Sequence, residues 1–285
     1  MTGVPVGPQG RRPALDPAGF VELGGLRLEY RWIPAADPGR PVLVLLHEGL
    51  GCVDIWRDFP DRLAADTGCA AFVYSRAGYG RSSPVPLPRP LRYMDEEALE
   101  GLPRLLDAVG LEEVVLVGHS DGASIALVHA GGADPGGRVR GVIAEAPHLF
   151  AEDLSVASIR LAREAYEKGD LRARLARLHG DNVDCAFRGW NDAWLDPGFR
   201  SWNIEAYLPR IAVPVLVIQG RDDQYGTSLQ YQRIREGCAG PVEVLVLAGC
   251  GHSPHRDRPA ETLAAMAGFV AGLRPRPGRR SEGGG

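Results

Sequence analysis

Residues 114–129 read VVLVGHSDGASIALVH, and the architecture of the chain turns on this stretch. Val114 to Val117 is an apolar run without polar alternation, the pattern of a strand covered on both faces. Asp121 to Ala130 reads as an apolar helix. Between them, Gly118-His119-Ser120-Asp121-Gly122 fits G-x-S-x-G in the strand–turn–helix context that gives the pattern meaning: small residues flank a sharp turn that projects a serine hydroxyl above the sheet. The turn also sets the backbone N–H of Asp121 at a helix N-terminus, where partial positive charge can stabilise an oxyanion. The alternative is that Ser120 only caps the helix beside a pair of packing glycines.

Working outward, Val42–Leu46, Ala70–Tyr74, Gly141–Ala144, Val215–Ile218 and Val242–Leu247 repeat the unbroken apolar pattern and predict further buried parallel strands. Phe20 to Trp32 differs, with two alternating runs around Gly24-Gly25 that predict a hairpin. Helical patterns follow most strands: Asp58–Ala65, Met94–Val109, Thr227–Arg235 and Pro259–Ala271. Strand and helix alternating in this way predict an α/β domain, a doubly wound and mostly parallel sheet opened by an N-terminal hairpin. About 60 residues from Pro147 to Arg210 break the rhythm, and so long a loop without structure is improbable in a compact domain. They carry a charged helical stretch, Ser155 to His179, then FRGWNDAWLDPGFRSW, and predict a helical cap at 147–210 inserted into a core of 18–146 and 211–273. Residues 1–17 and 274–285, rich in Gly, Pro or Arg and without periodicity, read as flexible ends.

A serine nucleophile needs a base, and the base needs an orienting acid. The strand VPVLVIQG runs into Arg221-Asp222-Asp223, and VEVLVLAG into Cys250-Gly251-His252-Ser253. Loops that follow parallel strands meet at the carboxyl edge of the sheet, so Ser120, one of these aspartates and His252 can converge although far apart in sequence. His252 and His255 make a poor zinc site, since two histidines on one loop lack a third protein ligand.

From about Phe20 to Leu273 the chain resembles the α/β-hydrolase fold family, in LLHEGLG, YSRAGYGRS, GHSDGAS, PVLVIQGRDDQYGT and GCGHSPHRDRP. The resemblance implies catalysis by Ser120, Asp223 and His252, prefers Asp223 to Asp222, and leaves His255 as a rim residue. It also implies a second oxyanion donor in the loop after Val42–Leu46. There a His-Gly pair is usual, but Glu48 stands in the glycine place, so the donor carries over to the N–H of Gly49, beside that of Asp121. A carboxylate aimed at an oxyanion would oppose catalysis, so Glu48 is expected to point elsewhere, and His47 to brace the loop. The YSRAGYGRS loop around Arg76 and Tyr79 is expected to be structural. Relatives that open epoxides or remove halides attack through an aspartate at the position of Ser120, which disfavours those reactions here.

The chemistry expected is ester or thioester hydrolysis through an acyl-enzyme, with no cofactor and no metal. A lactonase, a carbon–carbon hydrolase of the meta-cleavage type and a hydroxynitrile lyase remain open on the same residues, as does a non-catalytic ligand-binding protein. Asp121 has two readings, a helix-dipole partner or an acid that pairs with a substrate ammonium group, as in the valacyclovir-hydrolase-like members it resembles. Glu48 and Glu145, at or just past strand ends, are candidate substrate-binding residues of the same kind, unless Arg76 or Arg188 neutralises these acids. Trp190 and Trp194 are candidates to line the substrate pocket, while most aromatics of the cap, Phe187, Phe199 and Trp202 among them, are expected to pack its small core.

Composition excludes other classes. The 32 Lys+Arg and 36 Asp+Glu leave a formal charge of −4 with no basic block in the body of the chain, so no nucleic-acid footprint is present. Five cysteines at irregular spacing suit a reducing, cytoplasmic setting rather than a disulfide framework. No apolar run nears the ~18 residues of a membrane span. The partner expected is a small-molecule substrate; oligomeric state is not legible.

Overall fold

In the computed structural model, residues 15–37, 39–134 and 137–273 are described; the flexible ends expected at the termini fall largely outside them. The elements run β1 (Ala18–Leu23), β2 (Leu26–Ile33), β3 (Val42–Leu46), α1 (Phe59–Thr67), β4 (Ala70–Tyr74), α2 (Tyr93–Glu96), α3 (Leu102–Val109), β5 (Val114–His119), α4 (Asp121–Gly132) and β6 (Val139–Glu145). After β6 come α5 (Asp153–Lys168), α6 (Leu171–His179) and α7 (Val183–Leu195), then β7 (Val215–Gly220), α8 (Ser228–Gly237), β8 (Val242–Leu247), α9 (Pro254–Asp257) and α10 (Pro259–Gly272).

The eight strands form one sheet in the order β1-β2-β4-β3-β5-β6-β7-β8. β1 and β2 are antiparallel to each other, β2 is antiparallel to β4, and all other pairs are parallel. The hairpin closes at Leu23↔Leu26, with Gly24 and Gly25 both at positive φ, as a two-residue turn that matches strand twist requires.

Every residue of β3, β4 and β5 is buried, the physical reason their sequences lack alternation. Their side chains still alternate between faces. Leu43 and Leu45 pack with Phe59, Leu63 and Met266 on the layer made by α1 and α10, while Val44 and Leu46 pack with Leu102, Leu106 and Ile125 on the opposite layer. The two neighbours of β3 are β4 and β5, so the chain leaves β3 in one direction and returns on its other side. This is the switch point at which crevices open in such sheets.

Two helical expectations are corrected. The helix expected over Met94–Val109 is interrupted by a π turn at Glu97–Gly101, because Pro103 at the start of α3 can neither donate to the preceding turn nor fit its ring against that turn's carbonyl. The stretch Ser155–His179 is two helices, parted where Gly169 takes an extended backbone. The segment between β6 and β7 has its own aromatic packing: Tyr166 stacks on Phe187 at 3.6 Å and Phe199 on Trp202 at 5.1 Å between ring centroids. Among the described residues, no helix is long and apolar enough to cross a membrane.

Candidate active site

Ser120 stands between β5 and α4 with φ 53° and ψ −118°, a conformation that costs a non-glycine residue about 1–3 kcal/mol and is tolerated where surrounding packing enforces it. The enforcement comes from the flanking glycines. A Cβ on Gly122 would sit 2.1 Å from the carbonyl oxygen of Leu46, and one on Gly118 would sit 2.3 Å from that of Gly122. With backbone as the obstacle, no side chain can swing aside.

Ser120 Oγ lies 2.9 Å from His252 Nε2. On the far side of the ring, Nδ1 is 2.9 Å from each carboxylate oxygen of Asp223. The loops after β5, β7 and β8 therefore bring these three side chains together at the carboxyl edge. Asp223 also accepts from the Tyr225 backbone N–H at 2.8 Å and from Gln219 Nε2 at 2.6 Å. Burial pushes its carboxyl up, but the His252 hydrogen bond and charge and the Tyr225 N–H outweigh it and hold Asp223 below the usual aspartate value. Asp222 is exposed, on the solvent side of the same turn.

The loop after β3 is pinned through one carbonyl. His47 Nδ1 lies 2.7 Å from Glu48 O, and the Arg76 guanidinium donates to the same oxygen at 2.9 Å. Burial first, then the Arg76 charge, press His47 well below the ordinary histidine value, so the ring is neutral. Its Nδ1–H is thus the donor to Glu48 O, and its Nε2 accepts the Arg76 backbone N–H at 3.1 Å. Arg76, expected to be structural, thereby holds the peptide whose other end is the Gly49 N–H. Gly49 itself lies under Trp190, whose indole would be 2.2 Å from any added Cβ.

Glu48 turns its carboxylate toward His119, 3.7 Å from that residue's Nδ1. Burial would raise Glu48, but the facing imidazole brings it down to about 2. For His119, burial acts downward and Glu48 prevails, lifting it to about 8. The other nitrogen of His119 donates to the backbone carbonyl of His252 at 2.7 Å. Asp121 is 1% exposed and accepts the Tyr93 hydroxyl, which itself accepts the Trp194 indole N–H at 3.1 Å. Its carboxyl is pushed up by burial and pulled back by the nearby Arg76.

Glu145 is a correction. It is fully buried beside α9, where its Oε2 accepts both the backbone N–H (3.0 Å) and Nδ1 (2.9 Å) of His255, and it does not line the cavity. Nor is His255 on a rim: it is 6% exposed and packs against Trp56 and Phe59. The strand end points Glu145 into the layer under the loop that carries His252, not toward the serine. Burial raises the Glu145 carboxyl, yet His255 overcomes it and leaves the group below the ordinary glutamate value of 4.5. A carboxyl depressed in the folded state adds stability that is complete above its unfolded value and is lost as pH falls through the folded one. Glu145→Gln is therefore expected to be less stable than wild type at neutral pH and to lose less stability on acidification below about pH 4.5, as read by thermal melts across the acid range.

A cavity of about 170 Å³ opens beside Ser120. Glu48, Gly49, Asp121 and His252 bound it from the core, and Ile159, Trp190 and Trp194 from the helical segment. Of the residues proposed from sequence to meet substrate, Glu48, Asp121, Trp190 and Trp194 are on its wall. Arg188 is exposed and away from it. His119, His148 and Tyr225 also line it and were not singled out from sequence. Position gives a signal for His148, which follows closely on the carboxyl end of β6. Among the described residues, no group of three or more His, Cys, Asp or Glu side chains is placed to hold a metal ion.

The crossover at β3 and β5, with the loops that carry Ser120, Asp223 and His252 gathered at one edge of a mostly parallel sheet, defines a doubly wound α/β fold. Residues 43–265 match the model of the Alpha/beta hydrolase family, and the chain belongs to that family. It is 28% identical to "Epoxide hydrolase A" of Mycobacterium tuberculosis, over 89% of this chain and 97% of that one. It is 27% identical to "2-succinyl-6-hydroxy-2,4-cyclohexadiene-1-carboxylate synthase" of Serratia proteamaculans, over 85% and 98%. Among solved structures, the proline iminopeptidase of Mycobacterium smegmatis superposes with a TM-score of 0.70 at 20% identity, over 89% and 97% of the two chains. That likeness is one of fold.

Proposed function

We propose that the protein is a serine hydrolase that cleaves a carboxylic ester or thioester of a small molecule through an acyl-enzyme on Ser120. The observation that carries this reading is the 2.9 Å contact between Ser120 Oγ and His252 Nε2, on a ring whose other nitrogen meets Asp223. In the first half-reaction Ser120 attacks the carbonyl carbon while His252 takes its proton, and Asp223 holds the ring in the tautomer that can accept it. The developing oxyanion is met by the N–H of Asp121, at the head of α4, and by that of Gly49. The imidazolium returns the proton to the departing alcohol or thiol, and water, activated by the same histidine, then releases the acid.

The relatives bear names of different reactions, and the residue at the elbow favours acyl transfer among them. An oxirane opened by an elbow carboxylate requires an aspartate, and position 120 is serine. Lactone and carbon–carbon hydrolysis share the same groups and would differ in what the cap, residues 147–210, admits. The cavity suits a small group, since ~150 Å³ of apolar space accommodates a benzene ring. A non-catalytic binding role would leave Ser120 unreactive. Incubation with a fluorophosphonate followed by intact-mass and peptide analysis separates the two: a single adduct on Ser120 is expected, and unlabelled folded protein would overturn the reading.

The acids on the cavity wall supply a modest preference for amine-bearing substrates. Asp121 faces the buried Arg76, and Glu48 faces His119, so each has an internal counter-charge. Glu48, with 21% of its side chain exposed, is the one open to a ligand. Between matched esters that differ only in an ammonium or a methyl group, wild type is expected to favour the cation about fivefold, the order of one charged hydrogen bond partly offset by solvent. Glu48→Gln should remove that preference and Asp121→Asn only reduce it. Equal ratios in all three proteins would mean that these acids serve the fold alone.

A further inference from the structure

One polar side chain on the cavity wall has no task in that mechanism. His148 follows β6, is 3% exposed, and lines the cavity with Ser120 and His252. Its ring lies 5.6 Å from that of His252 and edge-on to Trp194 at 5.2 Å. The Ser124 hydroxyl fixes its backbone from both sides, donating to its carbonyl at 2.6 Å and accepting its N–H at 3.2 Å. The backbone that carries the imidazole is therefore held in place and Trp194 packs edge-on against the ring, yet its Nδ1 is sealed in the protein without a partner.

The charge state follows from the surroundings. Burial lowers the His148 ring most, His252 and His119 lower it further, Asp223 acts the other way, and the outcome is about 3. A neutral imidazole carries one N–H. Orphaned N–H groups are rarer in protein interiors than under-used acceptors, so the hydrogen belongs on Nε2, the ring nitrogen left open to the cavity. Nε2 is not among the sealed atoms without a partner; a donor that faces a cavity whose helical-segment walls are Ile159, Trp190 and Trp194 gains from an acceptor brought by a ligand. In the sheet, β6 lies on the other side of β5 from β3, so this donor sits across Ser120 from the Gly49 loop and is separate from the oxyanion donors.

We propose that His148 is a specificity-determining residue whose Nε2–H receives an acceptor oxygen of the substrate, so that the enzyme selects small esters bearing an ether, hydroxyl or carbonyl oxygen beyond the scissile group over their all-carbon counterparts. A carboxylate is the wrong acceptor, because Glu48 and Asp121 share the wall. The inference rests on the ester-hydrolase reading.

Two probe pairs test it: p-nitrophenyl methoxyacetate against p-nitrophenyl butyrate, which exchange an ether oxygen for a methylene in the acyl group, and 2-methoxyethyl acetate against butyl acetate, which do so in the alcohol. In at least one pair the ratio of kcat/KM for the ether over the methylene ester is expected to fall about tenfold on His148→Leu, the order of one lost hydrogen bond, and to recover in part in His148→Asn, which keeps an N–H donor. Ser120 labelling by fluorophosphonate verifies that each variant is folded. Ratios unchanged within about twofold in both pairs, with labelling intact, would overturn the assignment. Failure of the hydrolase reading looks different: wild type neither labels nor turns over any of the four esters. The same pairs are then compared as ligands of Ser120→Ala by calorimetry. An ether preference that His148→Leu abolishes supports the assignment, and equal affinities reject it.

Discussion

Ser120→Ala is expected to abolish fluorophosphonate labelling and to lower kcat for an activated ester by about 10⁵-fold, with His252→Ala losing a similar amount and the double variant scarcely more. Groups that act as one unit fail together, because a serine without its base is as inert as a base without its serine. The geometry makes this a strict test, since His252 Nε2 lies within hydrogen-bond distance of Ser120 Oγ, at 2.9 Å. Asp223→Asn should cost about 10⁴-fold for a different reason, a ring held in the wrong tautomer. Asp223 accepts from His252, from Gln219 and from the Tyr225 backbone N–H. An asparagine amide has one acceptor oxygen and must turn its NH₂ toward one of those donors. Steady-state kinetics on the purified variants, with Tm measured alongside, check the series. Additive losses in the double variant would mean that Ser120 and His252 do not act in one step.

The second large effect is expected at Arg76, which does not line the cavity. Arg76→Met removes the guanidinium donor from the carbonyl of Glu48 and takes away the charge that offsets buried Asp121. The first loss frees the Glu48–Gly49 peptide to rock, so its N–H no longer waits at a fixed place for the oxyanion. One oxyanion donor contributes about 10²–10³ in kcat; His47 still holds the same carbonyl, so a fall of about 10²-fold is expected, with KM within about threefold because the donor acts on the charged transition state more than on the ester. The second loss leaves a buried carboxyl without its cation, a change that costs about 3–5 kcal/mol when the group stays charged; neutralisation of Asp121 limits the loss to the lower end, and Tm should drop by several degrees. Arg76→Lys is expected to restore much of the stability and little of the rate, because a single ammonium cannot reproduce the planar fork. An unchanged kcat in folded Arg76→Met would mean that Arg76 has no part in fixing the Gly49 N–H for the reaction.

Much of the site was legible because the pattern of the fold ties chemistry to strand ends. An unbroken apolar strand, then Gly-His-Ser-Asp-Gly, then an apolar helix leaves few other ways to turn the chain, and the glycines are there because Leu46 and Ala123 backbone atoms leave no room for a Cβ. The same logic brought His252 and one of Asp222 and Asp223 to the carboxyl edge, each a few residues past a strand of the sheet, and the family resemblance chose Asp223. Glu145 shows where it stops. Being at a strand end sets the depth of a residue, while its direction depends on what packs beneath the next loop, and there His255 offered a partner. His148 was missed for the converse reason: its place three residues past β6 puts it near the edge, but that position alone does not tell a histidine that faces a cavity from one that faces the core.

By itself the sequence determined the succession of the strands, the doubly wound class and the residues of the Gly-His-Ser-Asp-Gly turn, because strand and helix periods, positive-φ glycines and turn chemistry are local properties of the chain. Tertiary structure alone decided which charges meet. The partnership of Glu48 with His119, the hold of Arg76 on the Glu48 carbonyl, and the sealed Nδ1 of His148 join residues tens of positions apart or depend on what surrounds them. Such pairings come from how layers stack on the sheet, and the energy of a buried polar group is fixed by its neighbours in space rather than in sequence.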